Sequence, residues 1–201
     1  MRSVKELEET SAAIAACQRC ELAKTRTKVV PGEGLHRAEV MFIGEAPGRE
    51  EDVQGRPFVG RAGKLLDRLL AEIGIGRNEV FIGNVLKCRP TSLEGKDRRP
   101  TEQEVSACSH FLDSQIEKIK PKVVCTLGDT ATHYILRKYG IKPDGISKIH
   151  GRVFEADKLK IIPLYHPAAA LYTYRLEKVM REDFMKLKSI LNQKTLEGFG
   201  A

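Results

Sequence analysis

The sequence has no window near the ~18 consecutive apolar residues that a membrane helix needs, so no spanning segment is expected. Its opening stretch, MRSVKELEET, lacks an apolar run that could form the core of a secretory signal. Internal repeats and low-complexity linkers are also missing. A chain of 201 residues without such breaks reads as one domain, long enough to bury roughly 70% of its unfolded surface. Tryptophan is absent, and asparagine and glutamine number three and five against plentiful lysine and glutamate, which leans towards a heat-adapted protein. Nor is there an even complement of cysteines; there are five. An odd count without a secretory signal argues against a disulfide framework and for metal binding, catalysis or buried thiols. These absences together lead us to expect a soluble, cytoplasmic globular protein with no membrane partner.

What is present begins with charge. Lys and Arg total 34 against 27 Asp and Glu, and 34 − 27 = +7 favours a polyanionic partner without requiring one. The pattern along the chain alternates between strands and helices. Glu39-Val-Met-Phe-Ile43, Glu79-Val-Phe-Ile-Gly-Asn-Val85 and Lys122-Val-Val-Cys-Thr-Leu127 are short apolar runs that predict buried strands. Arg152-Val-Phe and Lys160-Ile-Ile-Pro-Leu164 predict two more around a charged turn. Between them, Ala62, Leu65, Leu66, Leu69, Leu70 and Ile73 share one helical face. A capping box, Thr101-Glu-Gln-Glu104, opens a helix with Val105, Cys108, Phe111, Leu112, Ile116 and Ile119 on one side, and Pro121 ends it. Gly128 to Tyr139 predicts a further helix, and the last carries Leu176, Val179, Met180, Phe184, Leu187 and Ile190. This alternation predicts an α/β domain with a largely parallel sheet. Ligands of such sheets sit beyond the carboxyl ends of the strands. The polar and Gly/Pro-rich residues cluster at those ends: 44–48, 84–90, Gly128-Asp129 and Tyr165-His166-Pro167.

Four of the cysteines have the pattern of a metal centre. Cys17 and Cys20 form C-x2-C, a turn that aims two sulfurs inward, and Cys88 and Cys108 come from separate later segments. Spacing alone leaves zinc, an iron–sulfur cluster and incidental core thiols all open. Cys125 lies in mid-strand and is read as a buried thiol.

At the strand ends, the turn Gly44-Glu-Ala-Pro-Gly48 offers backbone N–H groups and a carboxylate, with Glu50, Glu51 and Asp52 close behind. Phe58, between glycines, is either core or a stacking surface for a planar ring. Asn84 carries a donor and an acceptor able to read a base edge, or it caps a turn. His166 is held extended by the following proline.

The segments Cys17-Gln-Arg-Cys20, Gly44-Glu-Ala-Pro-Gly48, Gly55-Arg-Pro-Phe-Val-Gly-Arg-Ala-Gly63, Asn84-Val-Leu-Lys-Cys-Arg-Pro90 and His166-Pro-Ala168 occur in this order. Together they closely resemble the family 4 uracil-DNA glycosylases, the iron–sulfur-containing branch of that superfamily, over residues 14–192. The resemblance implies a three-layer α/β/α sandwich around a central four-stranded, mainly parallel sheet. It implies a single glycosylase domain over 1–192 with a 4Fe-4S cluster held by Cys17, Cys20, Cys88 and Cys108. Cys125 matches no ligand position.

The implied activity is hydrolysis of the N-glycosidic bond of uracil flipped out of single- or double-stranded DNA, leaving an abasic site and free uracil. Gly44, Glu45, Ala46, Phe58, Asn84 and His166 would bind the base. Phe58 would stack on it, and Asn84 would pair with its 3-NH and 4-oxygen. His166 would donate to the 2-oxygen as negative charge develops there. Glu45 is the first choice for the carboxylate that positions water, with Glu51 second. Glu45 also argues against the family 5 enzymes, which carry an apolar residue there. Gly48 stands where other branches place a thymine-excluding tyrosine, so thymine must be excluded by another group.

Two basic segments, 86–100 with five bases and two acids and 137–152 with five bases and one acid, are expected to meet phosphates. Lys87 and Arg89 would contact DNA, and Leu171 would fill the vacated stack. The tail 193–201 resembles the Q-x-x-L-x-x-F peptide that docks on the DNA sliding clamp through Gln193, Leu196 and Phe199. A monomer is expected. A non-catalytic four-cysteine nucleic-acid-binding protein and a small electron carrier are the rival readings. The first leaves Glu45, Asn84 and His166 unexplained, and the paired basic loops and widely split ligands argue against the second.

Overall fold

The computed structural model describes residues 2–92, 94–171 and 173–197. The chain opens with α1 (Arg2–Ala15), a short α2 (Leu22–Thr25) and a two-residue strand, β1 (Glu33–Gly34). Next come β2 (Val40–Gly44), α3 (Arg49–Gln54) and α4 (Arg61–Glu72), and a 3-10 turn at Arg77–Glu79 leads into β3 (Phe81–Asn84). A long loop precedes α5 (Glu102–Ile119), β4 (Val123–Leu127), α6 (Asp129–Lys138) and α7 (Ile146–Ile149). The last elements are β5 (Phe154–Ala156), β6 (Leu159–Leu164), α8 (Pro167–Ala170) and α9 (Tyr174–Glu197).

The strands form one sheet in the order β1-β3-β2-β4-β6-β5. Its centre, β3-β2-β4-β6, is parallel throughout. The expected four-stranded parallel core is therefore present, flanked by two short antiparallel edges, β1 on β3 and β5 on β6. The edge β1 left no periodic signal because it is two residues long. It is admitted by Gly34, at φ +130°, where a Cβ would lie 1.9 Å from the Val80 carbonyl oxygen. Pro163, inside β6, does not break the sheet. Its carbonyl accepts from Gly151 N at 2.8 Å on the side away from β4, so its missing N–H falls on that side, beyond the end of the β5 pairing.

Each central strand is buried on both faces, which is why the runs read as continuous rather than alternating. Met41 and Ile43 of β2 pack with Ile14 of α1, Leu112 and Ile116 of α5 and Ile135 of α6. Val40 and Phe42 point the other way, to Leu65, Leu66 and Leu69 of α4 and Met180, Phe184 and Leu187 of α9. Phe42 and Phe184 stack with ring centroids 5.8 Å apart. Three layers, α/β/α, result.

The final helix runs past the boundary expected at residue 192. Lys194, Thr195, Leu196 and Glu197 are all compatible with helix, and the first breaker is Gly198. Gln193 and Leu196 thus lie within α9, while Phe199 falls outside the described residues. Among the described residues no helix is long and apolar enough to cross a membrane.

Candidate active site

The parallel strands deliver the conspicuous polar residues to one end of the sheet. Gly44 ends β2, Asn84 ends β3, Gly128 follows β4 and His166 follows β6. Gly44 and Asn84 are register partners. A Cβ on Gly44 would stand 2.4 Å from Asn84 Oδ1 and 2.7 Å from Phe58 Cζ, so the strand end must be glycine for the amide and the ring to meet there. They form part of an open cavity of about 730 Å³ whose wall also includes Glu45, Ala46, Glu51, Pro90 and His166. Asn84 is 2% exposed, and its Oδ1 has no hydrogen-bond partner. An orphaned buried acceptor is costly, about 1–3 kcal/mol, and signals a donor supplied from outside.

Phe58 is held in a left-handed backbone conformation, φ +50°, a strain on the order of 1–3 kcal/mol for a bulky residue. Several contacts enforce it. Arg77 donates to the carbonyls of Pro57 and, at 3.1 Å, Phe58, and is itself fixed by Glu33 and Asp67. Glu51 Oε1 accepts from the backbone N–H groups of Val59 and Gly60, both at 2.9 Å. Gly63 lets α4 start against this loop, since a Cβ there would sit 1.8 Å from the Phe58 carbonyl oxygen. Burial pushes the Glu33 carboxyl up, but hydrogen bonds from Arg56 and Arg77 outweigh it and hold the carboxyl below its ordinary value. The ring of Phe58 ends 5.6 Å from that of His166, centroid to centroid.

His166 caps α8: its Nδ1 accepts from Ala168 N at 3.1 Å. That bond places the neutral ring's proton on Nε2. Burial holds the imidazole at about 4, against a smaller upward pull from Glu51, so it is uncharged at neutral pH. Glu45 is half-buried, and its Oε2 accepts a short hydrogen bond from the Thr130 hydroxyl in the first turn of α6. Glu45, Ala46 and His166 also border a second cavity, of about 840 Å³, with Arg99, Gly128, Thr130 and Tyr165.

Four of the five cysteines gather away from the base-reading pocket, none of them on its wall. Cys17, Cys20, Cys88 and Cys108 line a single narrow pocket between α1, α2 and α5, together with Ile14, Leu22, Arg26 and Phe111. Arg26 donates to Cys88 Sγ at 3.4 Å and Lys87 N to Cys108 Sγ at 3.2 Å. Burial pushes both thiols up, Cys108 to about 11, against those donors. No three His, Cys, Asp or Glu side chains among the described residues converge on a point that would take one metal ion. Cys125 faces the other layer, fully buried among Phe42, Leu69 and Phe184, and burial raises its thiol strongly.

A family model of the uracil DNA glycosylase superfamily matches residues 31–188. The chain belongs to the uracil-DNA glycosylase superfamily. It is 48% identical over 190 residues to the type-4 uracil-DNA glycosylase of Saccharolobus solfataricus, covering 91% of this chain and 86% of that one. Against the type-4 uracil-DNA glycosylase of Sulfurisphaera tokodaii the identity is 46% over 189 residues, 92% and 84% of the two chains. Against that of Archaeoglobus fulgidus it is 43% over 195 residues, 95% and 96%.

In this member of the superfamily, the structure brings Gly44, Glu45, Ala46, Glu51, Phe58, Asn84 and His166 together as the sequence led us to expect. It moves three other residues away from their expected places. Lys87 is 1% exposed and does not reach the surface; its Nζ donates to Asn84 O at 2.8 Å and Gln115 Oε1 at 2.7 Å. Burial lowers its ammonium to about 8, with Cys108 opposing, so a phosphate contact is replaced by an internal one. Arg89 is largely covered and bonded to Asp97 at 2.6 Å. Leu171 does not project, since it packs half-buried against the core beneath α8. Arg98 is likewise paired with Glu104, which leaves Lys96 and Arg99 as the exposed bases of segment 86–100 without an acid partner among the described residues. Sequence reasoning missed Thr130 and Arg77. The only signal for Thr130 was its position just after the strand end Gly128-Asp129. It also missed Tyr174, 88% exposed at the start of α9.

Proposed function

We infer that the protein is a type-4 uracil-DNA glycosylase that accepts a uracil nucleotide flipped out of DNA and hydrolyses its N-glycosidic bond. It would release uracil and leave an abasic site, the opening step of base excision repair of deaminated cytosine. The observation that carries this reading is the unpartnered, buried Oδ1 of Asn84, an acceptor waiting for the N3–H of uracil. Its amide nitrogen would donate to the 4-oxygen. Cytosine presents the reverse pattern at both positions and would leave the buried amide unpaired, a penalty that binding sites of this kind use to reject the wrong base.

Phe58 stacks on the ring and His166 donates Nε2–H to the 2-oxygen. As the C1′–N1 bond breaks, its electron pair leaves with uracil, and the neutral imidazole stabilises the charge spreading onto the 2-oxygen. Glu45, with Oε2 tied to Thr130, keeps Oε1 for the attacking water. That water adds its oxygen to C1′, and its proton passes to the carboxylate and on to solvent. Glu51 holds the Phe58 loop and walls off thymine. Its Oε2 would lie 2.8 Å from a Cβ at Gly48, so a carboxylate fills the space that a larger residue at 48 would occupy. This reading gives Glu51 a steric role in place of the second catalytic carboxylate.

The four cysteines line one pocket and supply the four thiolates that a 4Fe-4S cluster takes. Bound as thiolates, they would tie α1, the α2 turn, the segment after β3 and α5 into one unit, and the group's contribution is that cross-link. DNA would be met by Lys96 and Arg99 and by the basic connection around α7.

Alkali treatment after incubation with oligonucleotides carrying uracil or thymine at the same position tests the reading. Strand cleavage only at uracil is expected, with loss of more than about 100-fold in Glu45→Gln. Absence of an abasic site at uracil overturns it.

A further inference from the structure

Lys87 lines the cysteine cavity and bonds the backbone of Asn84, whose side chain lines the base-reading pocket. Its Nζ holds two neutral oxygens, the Asn84 carbonyl at 2.8 Å and Gln115 Oε1 at 2.7 Å. Gln115 Nε2 is itself fixed by donation to the Pro31 carbonyl at 2.7 Å. The backbone N–H of Lys87 points the other way, to Cys108 Sγ at 3.2 Å, and its carbonyl accepts from Val30 N at 2.8 Å. The residue directly precedes Cys88 and is one of those that line the cysteine cavity. Among the described residues no carboxylate pairs with its ammonium, which is 1% exposed. A buried cation needs an anion to offset its desolvation.

We propose that Lys87 is a positioning residue that couples the cysteine-bound cluster to uracil recognition: its ammonium is a buried counter-ion of the metal–thiolate group, alongside the Arg26 guanidinium on Cys88, and its grip on the Asn84 carbonyl fixes the strand end whose side chain reads the base. The proposal rests on the reading of the four cysteines given under Proposed function. It explains why a lysine is buried here without an acid: the negative charge comes with the thiolates. It also explains why Asn84 and Cys88, four positions apart on one segment, belong to the two sites. The neutral oxygens orient the ammonium, and the thiolates balance its charge.

The test uses the full chain purified anaerobically with its iron, comparing wild type with Lys87→Met, which keeps the length and removes the charge and the donors. Three quantities are read: iron per chain and its rate of loss to a chelator, the cluster's reduction potential followed by absorbance, and KM and kcat on a uracil oligonucleotide. Removing a nearby positive charge is expected to move the potential downward and speed iron loss about tenfold, while loosening Asn84 raises KM several-fold with a smaller change in kcat. Asn84→Ala is the control, expected to raise KM without moving the potential. A Lys87→Met protein with wild-type potential, iron retention and KM overturns the proposal. If that variant does not accumulate folded, Gln115→Leu removes one partner of the ammonium and leaves its charge. It is then expected to raise KM several-fold, and a wild-type KM in it overturns the proposal. Wild-type protein without iron overturns the reading of the cysteines, and the proposal with it, before any variant is made.

Discussion

Gly44 and Asn84 face each other across two parallel strands, and the side chain missing from one leaves room for the amide of the other. A Cβ at residue 44 would come within 2.4 Å of Asn84 Oδ1 and 2.7 Å of Phe58 Cζ. Gly44→Ala should therefore displace the amide or the ring while leaving the fold intact, because Gly44 has ordinary strand geometry. We expect kcat/KM on a uracil oligonucleotide to fall about 100-fold, with a melting temperature within a few degrees of wild type. Near-normal turnover in Gly44→Ala would show that the base lies elsewhere.

Thr130 orients the carboxylate that Glu45 presents to water. Thr130→Val removes the donor at nearly constant volume, and kcat should drop about 10- to 100-fold with KM little changed. Thr130→Ser keeps the hydroxyl and should recover most of the rate. Equal defects in Val and Ser variants would point to packing by the methyl group instead.

The Phe58 loop depends on Arg77, which bonds two of its carbonyls and two carboxylates, Glu33 and Asp67. Arg77→Met should raise KM about tenfold and lower stability by about 1–3 kcal/mol, since it leaves buried acceptors unmet. Denaturant titration and steady-state kinetics on the same preparation check both numbers. A variant of wild-type stability would contradict the role given to Arg77.

His166 gives a pH dependence with a definite sign. Its imidazole is held at about 4, below the 6.5 of an unhindered histidine, so the unfolded chain binds the extra proton first on acidification. This residue's contribution to stability is fully present above about pH 6.5 and is lost as the pH falls towards 4, with a slope on the order of 1 kcal/mol per pH unit. His166→Gln should remove that slope. Parallel curves for wild type and variant across this window would show that the ring is not desolvated as described.

Much of this site was legible because its residues follow recognisable strands. Asn84 ends the run Phe81-Ile-Gly, and His166 comes just after Ile161-Ile-Pro-Leu164, so a parallel sheet puts them at one end. The short edges β1 and β5 were less legible, since two or three residues carry no period. Lys87 was misplaced for a different reason. In a segment with Arg89, Lys96, Arg98 and Arg99 it reads as one more surface base, and its burial is decided by Gln115, a residue 28 positions away on α5. Leu171 is similar, since its half-buried side chain packs against a core surface that its own neighbours do not encode. Thr130 carried only the weak mark of following a strand end, and its partner Glu45 comes from another strand.

The most direct measurement quantifies free bases released from a strand carrying one uracil, one thymine and one cytosine, by mass spectrometry, for wild type and Asn84→Ala. The account predicts uracil as the only base released by wild type and a loss of about 100-fold or more in the variant. Release of uracil at the wild-type rate by Asn84→Ala, or of thymine or cytosine at comparable rates by wild type, would contradict it.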